Sequence, residues 1–340
     1  MALPKFPPRN RTNILFAHAA YQMADRLVAR HPDLSHVEVR NGDDLQARAS
    51  WADVIVVSGL WRNEILDAAP KLRFVQSISA GTDQYNRDLF RQKGVRLASA
   101  AGVNAAAVAE HALSLMLSFA RRLNLLRDAQ VAKTWRPMLS DLALREEELN
   151  GKTLLVVGLG RIGDRVAALG KAFGMRVVAT KRDETTGKGA ADAVYKFDRL
   201  KGLLPEADFV VLTCPLTPET HHLFNANRIA AMKPSAWLIN VGRGAVIDET
   251  ALVAALQANT ISGVMLDVYE HYRLEPGDPL LSLPNAILTP HLAGMTQESR
   301  KRMGAAAAEE TLRMLAGEQP KNFVNPDVWS KFIERRSQDY

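Results

Sequence analysis

The stretch Thr153-Leu-Leu-Val-Val-Gly-Leu-Gly-Arg-Ile-Gly163 decides the fold of the region around it. A strand-like apolar run leads into the pattern G-x-G-x-x-G, and a helix-forming segment follows. Gly158 permits a tight turn, Gly160 lets a pyrophosphate approach the backbone, and Gly163 lets the helix pack on the strand. The stretch therefore predicts a strand–turn–helix unit that holds a dinucleotide at the helix N-terminus. The alternative is an ordinary tight turn between a strand and a helix.

The next predicted strand ends in the run Val177-Val-Ala-Thr-Lys-Arg182, which bears on the type of dinucleotide. NAD sites of this kind place an acidic residue about 20 positions after the first glycine, where it holds the ribose 2′-hydroxyl. Here Lys181 and Arg182 stand at the strand end, where two cations would bind a 2′-phosphate. We therefore expect NADP(H) to be preferred, with NAD(H) possible. A solvated basic turn is the alternative, because Asp183 and Glu184 follow directly.

Strands and helices alternate on both sides of this motif, and 340 residues suggest about two domains at roughly 150 residues each. Predicted strands before the motif include Asn13–Ala17, Val54–Val57 and Phe74–Ile78, and a helix is predicted over Tyr21–Arg30. This alternation predicts an α/β fold with parallel sheets covered on both faces. The segment Ala105–Arg127 lacks Gly and Pro, so it predicts one long helix of roughly 30 Å.

The composition is that of an ordinary globular protein, with 47% hydrophobic and 24% charged residues. This balance excludes a disordered chain. The net charge of +6 is small for this length, so no nucleic-acid partner is expected. No apolar run reaches the ~18 residues of a membrane span. Residues 1–11 combine three prolines with three basic residues, so no secretory signal is expected.

The chain contains one cysteine, Cys214. A single cysteine excludes an internal disulfide and a cysteine-based zinc site, and no metal is expected. The same observation predicts a reducing, cytoplasmic location.

Two candidate catalytic residues follow apolar strands in the second half of the chain. Arg243 lies in the run Asn240-Val-Gly-Arg-Gly-Ala-Val-Ile-Asp-Glu249, and His291 lies in Leu288-Thr-Pro-His-Leu-Ala-Gly294. Ligands of doubly wound sheets bind beyond the carboxyl ends of the strands. An arginine there can bind a substrate carboxylate or carbonyl, and a histidine can donate a proton to a carbonyl under reduction. The alternatives are a surface arginine in a glycine-rich turn and a structural loop histidine.

These motifs together resemble the D-isomer-specific 2-hydroxyacid dehydrogenase family, which includes glyoxylate/hydroxypyruvate reductases. Three further segments are similar to family motifs: Ser79-Ala-Gly-Thr-Asp83, the stretch from Gly102 to Glu110, and Cys214-Pro-Leu-Thr-Pro-Glu-Thr220. The resemblance implies two doubly wound parallel-sheet domains. Residues 1–103 plus 295–340 would form a flavodoxin-like substrate domain, and residues 104–294 a dinucleotide-binding Rossmann domain.

By this resemblance, the protein reduces a small 2-oxo acid such as glyoxylate or hydroxypyruvate with a nicotinamide cofactor. Arg243 would bind and polarise the 2-oxo acid, His291 would be the acid/base, and Asp267 would hold the nicotinamide carboxamide. Substrate binding would involve the backbone of Ser79, Ala80 and Gly81, with Asn104 nearby. The implied cofactor-binding residues are Val108, Gly158, Leu159, Gly160, Arg161, Ile162, Gly163, Thr180, Lys181, Arg182, Cys214, Pro215, Thr220, Val241, Gly242, Arg243, Asp267, His291 and Gly294.

The chain departs from the family pattern beside the catalytic histidine. The family usually places a glutamate five residues after the position of Asp267, and an ungapped reading puts Tyr272 there. Three interpretations are open: Glu270 or Glu275 reaches the histidine, the Tyr272 hydroxyl orients the ring, or activity is weakened. A mobile loop without contact to His291 is a further alternative.

Two tryptophans suggest further features. Trp61 follows a predicted strand and could limit substrate size, with surface packing as the alternative. Trp135 resembles a tryptophan that some relatives send into a partner's active site, and residues 105–150 are where family dimers usually join. A homodimer is therefore expected.

The competing function is a dinucleotide-sensing regulator, similar to the corepressors that share this fold.

Overall fold

The computed structural model describes residues 7–19, 24–29, 31–142 and 145–328. The chain forms two compact units. Unit 1 contains Met1–Asn104 and Gln297–Tyr340, and unit 2 contains Ala105–Thr296.

Unit 1 is built on a parallel sheet of five strands in the order β2-β1-β3-β4-β5. This is the strand order of flavodoxin-like folds. Its strands are β1 (Asn13–Ala17), β2 (Ser35–Val39), β3 (Val54–Val57), β4 (Phe74–Ser77) and β5 (Arg96–Ala98). Its helices are α1 (Asp25–Val28), α2 (Gly42–Arg48), α3 (Ile65–Ala68), α4 (Arg87–Lys93) and α11 (Gln297–Leu315).

Both faces of the unit 1 sheet are buried. Successive side chains of a strand point to opposite faces, so the strands contribute to two separate clusters. Leu15 and Ile55 belong to one buried cluster, while Ile14 and Val54 belong to another. All four residues of β3 are fully buried. A strand buried on both faces needs an unbroken apolar run, which is why Val54–Val57 was recognisable in the sequence.

Unit 2 is built on a parallel sheet of seven strands in the order β12-β11-β10-β9-β6-β7-β8. Its strands are β6 (Thr153–Val157), β7 (Arg176–Thr180), β8 (Ala193–Tyr195), β9 (Phe209–Leu212), β10 (Trp237–Asn240), β11 (Gly263–Leu266) and β12 (Ala286–Leu288). Its helices are α5 (Ala105–Ala120), α6 (Leu123–Val131), α7 (Arg161–Ala172), α8 (Leu200–Leu203), α9 (Ala226–Ile229) and α10 (Glu249–Gln257).

The strand order of unit 2 reverses between β6 and β9, which lie side by side with Val157 opposite Leu212. From β6 the chain proceeds to one edge through β7 and β8, and from β9 it proceeds to the other edge. Such a switch point opens a crevice at the carboxyl ends of the two strands, where doubly wound sheets bind ligands. The predicted α/β class with two doubly wound parallel sheets is therefore confirmed.

Two expectations about individual elements need correction or qualification, and one strand was missed. The single helix predicted over Ala105–Arg127 is wrong: α5 ends at Ala120, and Arg122 takes a left-handed conformation (φ 51°) before α6. Strand β8 was not predicted at all. Part of the helix predicted over Tyr21–Arg30 lies outside the described residues, and α1 covers only Asp25–Val28. Across the described part of the chain, every helix is too short or too polar to span a bilayer.

Candidate active site

The glycine-rich turn of unit 2 needs glycine at two of its three positions for steric reasons. Gly158 has φ 102°, and a Cβ there would lie 2.7 Å from the backbone N and Cα of Cys214. A Cβ on Gly163 would lie 2.4 Å from the carbonyl oxygen of Gly158. The first and third glycines of the motif therefore let β6, β9 and α7 approach one another closely.

Gly160 differs from these two glycines, because a Cβ there would meet no atom within 4 Å. It is the N-cap residue of α7 and offers no side chain to the free amides of the first turn. These amides carry the partial positive charge of a helix N-terminus and suit a phosphate group. The turn thus has the open space and the donors that a dinucleotide pyrophosphate requires.

The end of β7 adds polar groups beside the turn. The carbonyl of Thr180 accepts hydrogen bonds from the amides of Gly158 (3.0 Å) and Leu159 (2.9 Å). The Thr180 hydroxyl is buried and has no hydrogen-bond partner within the described part of the chain. Buried polar groups are normally hydrogen-bonded, so this hydroxyl is consistent with a bound ligand.

The basic residues after β7 lie at the surface. Lys181 Nζ donates to the carbonyl oxygens of Thr186 and Gly187, each at 3.3 Å, and Arg182 is exposed. Asp183 accepts from both the amide and the hydroxyl of Thr185, and these hydrogen bonds lower the pKa of its carboxyl group. Thr185 therefore holds the carboxylate of Asp183 in the turn that follows Arg182.

The segment that begins at Cys214 is a tight loop after β9. Thr220 organises it: its hydroxyl donates to the carbonyl of Pro215 (2.7 Å) and accepts from the amide of Thr217 (2.7 Å). Burial raises the pKa of the Cys214 thiol to about 12. The thiol is therefore protonated at neutral pH, and Cys214 packs as an apolar residue in a buried cluster of unit 2.

Arg243 lies in a turn after β10 that is held by the buried side chain of Asn240. Asn240 Nδ2 donates to the Arg243 carbonyl (2.9 Å), and Asn240 Oδ1 accepts from the Gly242 amide (3.0 Å). Gly244 packs so closely that a Cβ would lie 1.8 Å from the carbonyl carbon of Tyr269. The turn is thus fixed on two sides, which orients the Arg243 backbone. Sequence reasoning had assigned no role to Asn240.

Asp267 holds the loop that carries His291. Its carboxylate is buried and accepts hydrogen bonds from the Thr289 hydroxyl (2.7 Å) and from the amides of Leu292 and Ala293 (both 2.9 Å). His291 itself has φ 56°, a left-handed conformation. The loop conformation therefore depends on Asp267, while the predicted contact of this residue with a carboxamide stays a prediction.

His111 on α5 joins this network and was missed in the sequence. Its Nε2 atom lies 3.0 Å from the Thr289 hydroxyl and 3.7 Å from Asp267 Oδ1. Burial lowers the pKa of His111, and the nearby Asp267 carboxylate offsets part of that effect. His111 follows Val108 by three positions, and this helical spacing next to a predicted cofactor residue was the available signal.

Tyr272 contacts His291 directly. The Tyr272 hydroxyl lies 3.0 Å from His291 Nδ1, and the two rings stack with centroids 5.5 Å apart. The substitutes proposed from the sequence do not take this place. Glu270 Oε1 lies 2.9 Å from Nε2 of His222 instead, and Glu275 is exposed. Of the three interpretations, the structure supports the one in which the hydroxyl contacts the ring.

The candidate substrate segment of unit 1 lies after β4. The Ser79 amide donates to the Ser77 hydroxyl (3.2 Å), and the Ser79 and Ser58 hydroxyls form a hydrogen bond. Ala80 and Gly81 follow in the same loop and are partly exposed. Oδ1 of Asn104 is buried and has no hydrogen-bond partner among the residues described.

Trp61 is a core residue of unit 1. Only 6% of it is exposed, and its ring centroid lies 5.4 Å from those of both Tyr85 and Phe90. The indole Nε1 donates to Asn63 Oδ1 (3.2 Å). The ring of Trp61 fills the space between two other aromatic side chains. This position supports neither a restriction of substrate size nor packing at the surface.

Comparisons with known proteins agree with this arrangement. Residues 113–293 match the model of the D-isomer specific 2-hydroxyacid dehydrogenase NAD-binding domain. The chain is 38% identical over 315 residues to glyoxylate/hydroxypyruvate reductase B of Pectobacterium carotovorum, an alignment that covers 90% of this chain and 97% of the relative. The chain belongs to the D-isomer-specific 2-hydroxyacid dehydrogenase family.

Two solved structures show the same architecture as this dehydrogenase. One is the NADPH-dependent glyoxylate/hydroxypyruvate reductase of Sinorhizobium meliloti in complex with NADP and malonate (TM-score 0.77, 30% identity, 92% of this chain and 97% of that chain). The other is the D-lactate dehydrogenase of Aquifex aeolicus with NAD and lactic acid (TM-score 0.80, 30% identity, 92% and 99%). This dehydrogenase therefore uses a nicotinamide cofactor, and none of the three relatives supports the regulatory alternative.

Proposed function

We propose that this dehydrogenase reduces a small 2-oxo acid, such as glyoxylate or hydroxypyruvate, with NADPH. The observation that carries the proposal is the contact between Tyr272 and His291, which places a hydrogen bond on Nδ1 of the candidate acid/base. The relatives named as glyoxylate/hydroxypyruvate reductases support this substrate class.

The residues of the chain have separate tasks in this proposal. A bound nicotinamide cofactor supplies the hydride to C2 of the 2-oxo acid. Arg243 binds the substrate and draws electron density toward its carbonyl oxygen. The hydrogen bond to Tyr272 engages Nδ1 of His291, and Nε2 has the proposed role of donating a proton to that oxygen. By the family resemblance, the amides of Ser79, Ala80 and Gly81 bind the substrate carboxylate, with Asn104 beside them.

The preference for NADPH rests on the groups at the end of β7. Lys181 and Arg182 provide two cations, and the Thr180 hydroxyl provides a buried polar group without a described partner. Asp183 keeps its negative charge, but Thr185 holds its carboxylate in the turn that follows the two cations. The nicotinamide-side assignments of Val108 and Asp267 follow from the resemblance, and so does the assignment of Gly294 to the cofactor site.

The proposed location is the cytoplasm, which the single cysteine supports. The proposed assembly is a homodimer. The support for a dimer is a series of apolar side chains exposed on α6 and the segment after it. They are Leu123 (53% exposed), Leu125 (49%), Val131 (64%), Trp135 (95%), Met138 (90%) and Leu142 (75%). Exposed apolar surface of this kind marks protein–protein contacts. Sedimentation velocity would show a dimer, and a monomer at micromolar concentration would contradict it.

The test of the proposed function is cofactor oxidation with a panel of 2-oxo acids. Purified protein is mixed with NADPH or NADH and with glyoxylate, hydroxypyruvate, pyruvate or a larger 2-oxo acid, and absorbance of the reduced cofactor is followed. We expect the highest kcat/KM with NADPH and a two- or three-carbon acid. Tight NADPH binding without turnover of any acid would overturn the proposal and favour the sensor.

A further inference from the structure

We propose that His221, His222 and Glu270 in unit 2 form a binding site for a divalent transition-metal ion such as Zn²⁺. Each side chain offers one ligand atom, and these atoms all lie within 4.8 Å of one another. Two imidazoles and one carboxylate are a ligand set that Zn²⁺ takes readily in proteins. None of the three residues has a task in the proposed reduction.

Two of the three ligands already point at each other. Nε2 of His222 and Oε1 of Glu270 are 2.9 Å apart and share a hydrogen bond. Ligand atoms in a tetrahedral zinc site lie about 3.4 Å apart, given metal–ligand bonds of about 2.1 Å. A shift of about half an ångström, with loss of the shared proton, therefore admits the ion.

The third ligand can adjust to the other two. The His221 ring stacks on that of His222 with centroids 4.0 Å apart, and His221 is exposed. A rotation of its side chain brings a ring nitrogen to the metal without displacing any buried group. The side chains of His222 and Glu270 are 35% and 22% exposed, so the ion can enter from solvent. A water molecule would complete the coordination.

The backbone holds His222 and Glu270 in place before any ion binds. His222 has φ 47°, and its amide donates to the Ala245 carbonyl (2.8 Å). The Glu270 amide donates to Glu249 Oε2 (3.0 Å). Preorganised ligands bind a metal more tightly, because less conformational freedom is lost on binding.

The ion would connect two segments that serve the candidate active site. His222 follows the Thr220 loop by two residues, and Glu270 precedes Tyr272 by two residues. The metal would thus reinforce the link that the His222–Glu270 hydrogen bond makes in its absence. Because the ion stabilises the folded state, the melting temperature should rise with Zn²⁺ concentration.

The experiment is calorimetric titration of the full chain with ZnCl₂, without an affinity tag and after treatment with a chelator. We expect one Zn²⁺ per chain. His222→Asn and Glu270→Gln should each weaken binding at least about tenfold, and Asn is chosen because it tolerates a left-handed backbone. The matched control is His271→Asn, an exposed histidine next to Glu270 but outside the cluster, which should bind as the wild type does.

No Zn²⁺ binding by the wild type would overturn the site, and so would equal affinity in the wild type and the two ligand variants. Circular dichroism establishes that each variant is folded. If His222→Asn does not fold, the exposed His221→Asn decides instead: weaker binding supports the site, and unchanged binding overturns it. The titration measures no turnover, so its outcome is independent of the proposed reductase activity.

Discussion

The hydroxyl of Tyr272 lies 3.0 Å from Nδ1 of His291, and the family resemblance, read without gaps, implies a glutamate at this position. A carboxylate beside an imidazole favours the imidazolium ion by its charge, whereas a phenol offers only a hydrogen bond. The Tyr272 hydroxyl can therefore orient the ring of His291 but adds no negative charge beside it.

Removal of the hydroxyl tests this pair. Tyr272→Phe should lower kcat/KM for the 2-oxo acid about fivefold, the effect of one hydrogen bond of about 1 kcal/mol. The KM for NADPH should change less than kcat/KM for the acid, because the Tyr272 hydroxyl contacts the candidate acid/base His291. Tyr272→Glu should shift the pH–rate profile toward higher pH. A Tyr272→Phe variant with the wild-type rate and pH profile would remove Tyr272 from the mechanism.

The cations after β7 should set cofactor preference. Arg182→Ala should raise the KM for NADPH about tenfold or more, since hydrogen bonds to charged groups contribute about 1.5–3 kcal/mol. Lys181→Ala should act in the same direction, while kcat/KM with NADH stays constant in both. Lys188→Ala removes an exposed lysine of the same region and is the matched control. An equal loss with NADH and NADPH would show that these residues do not recognise the 2′-phosphate.

The glycine-rich turn offers a matched pair of substitutions. Gly158→Ala places a Cβ 2.7 Å from Cys214 backbone atoms at φ 102°, so we expect a large loss of stability, about 2 kcal/mol or more. Gly160→Ala places a Cβ in open space and should fold normally. It should still weaken NADPH binding, because the methyl group occupies the approach of the pyrophosphate. Thermal unfolding and fluorescence titration of both variants separate the two effects, and equal melting temperatures would contradict the steric argument.

His111 should make stability depend on pH. Burial lowers its pKa in the folded protein below the ordinary value of 6.5. Between the folded and unfolded pKa values the unfolded chain binds more protons, so stability is full above pH 6.5 and is lost as pH falls through the folded pKa. The melting temperature of His111→Gln should therefore fall less between pH 8 and pH 5 than that of the wild type. Parallel curves for the two proteins would exclude this contribution.

Much of the fold could be predicted because its strands are buried on both faces. The strands Val54–Val57 and Thr153–Val157 were predicted with the bounds that the structure has, because the first is apolar throughout and the second is apolar after Thr153. Strand β8 (Ala193–Tyr195) was not predicted. It is a short edge strand, and its residues are only half-buried. The break after α5 also left no sequence signal, since the left-handed residue is an arginine rather than a glycine.

The sequence pointed to candidate residues of the site, but it did not reveal the hydrogen bonds between them. Arg243 and His291 follow strand ends, a position that the alternation of elements reveals. The hydrogen bonds from Asp267 to the loop of His291 join residues 22 to 26 positions apart, and the His222–Glu270 pair spans 48 positions. Such contacts depend on how separate loops pack, so neither the local pattern nor the spacing could supply them.

The proposed reaction transfers a hydride from NADPH to C2 of a small 2-oxo acid. The most direct test uses hydroxypyruvate with NADPH deuterated at C4 of the nicotinamide, in separate reactions for the two faces of the ring. We predict glycerate of the D configuration with deuterium at C2 from one of the two labelled cofactors, as mass spectrometry and chiral chromatography would show. Absence of glycerate, or glycerate without deuterium at C2 from either label, would contradict the account.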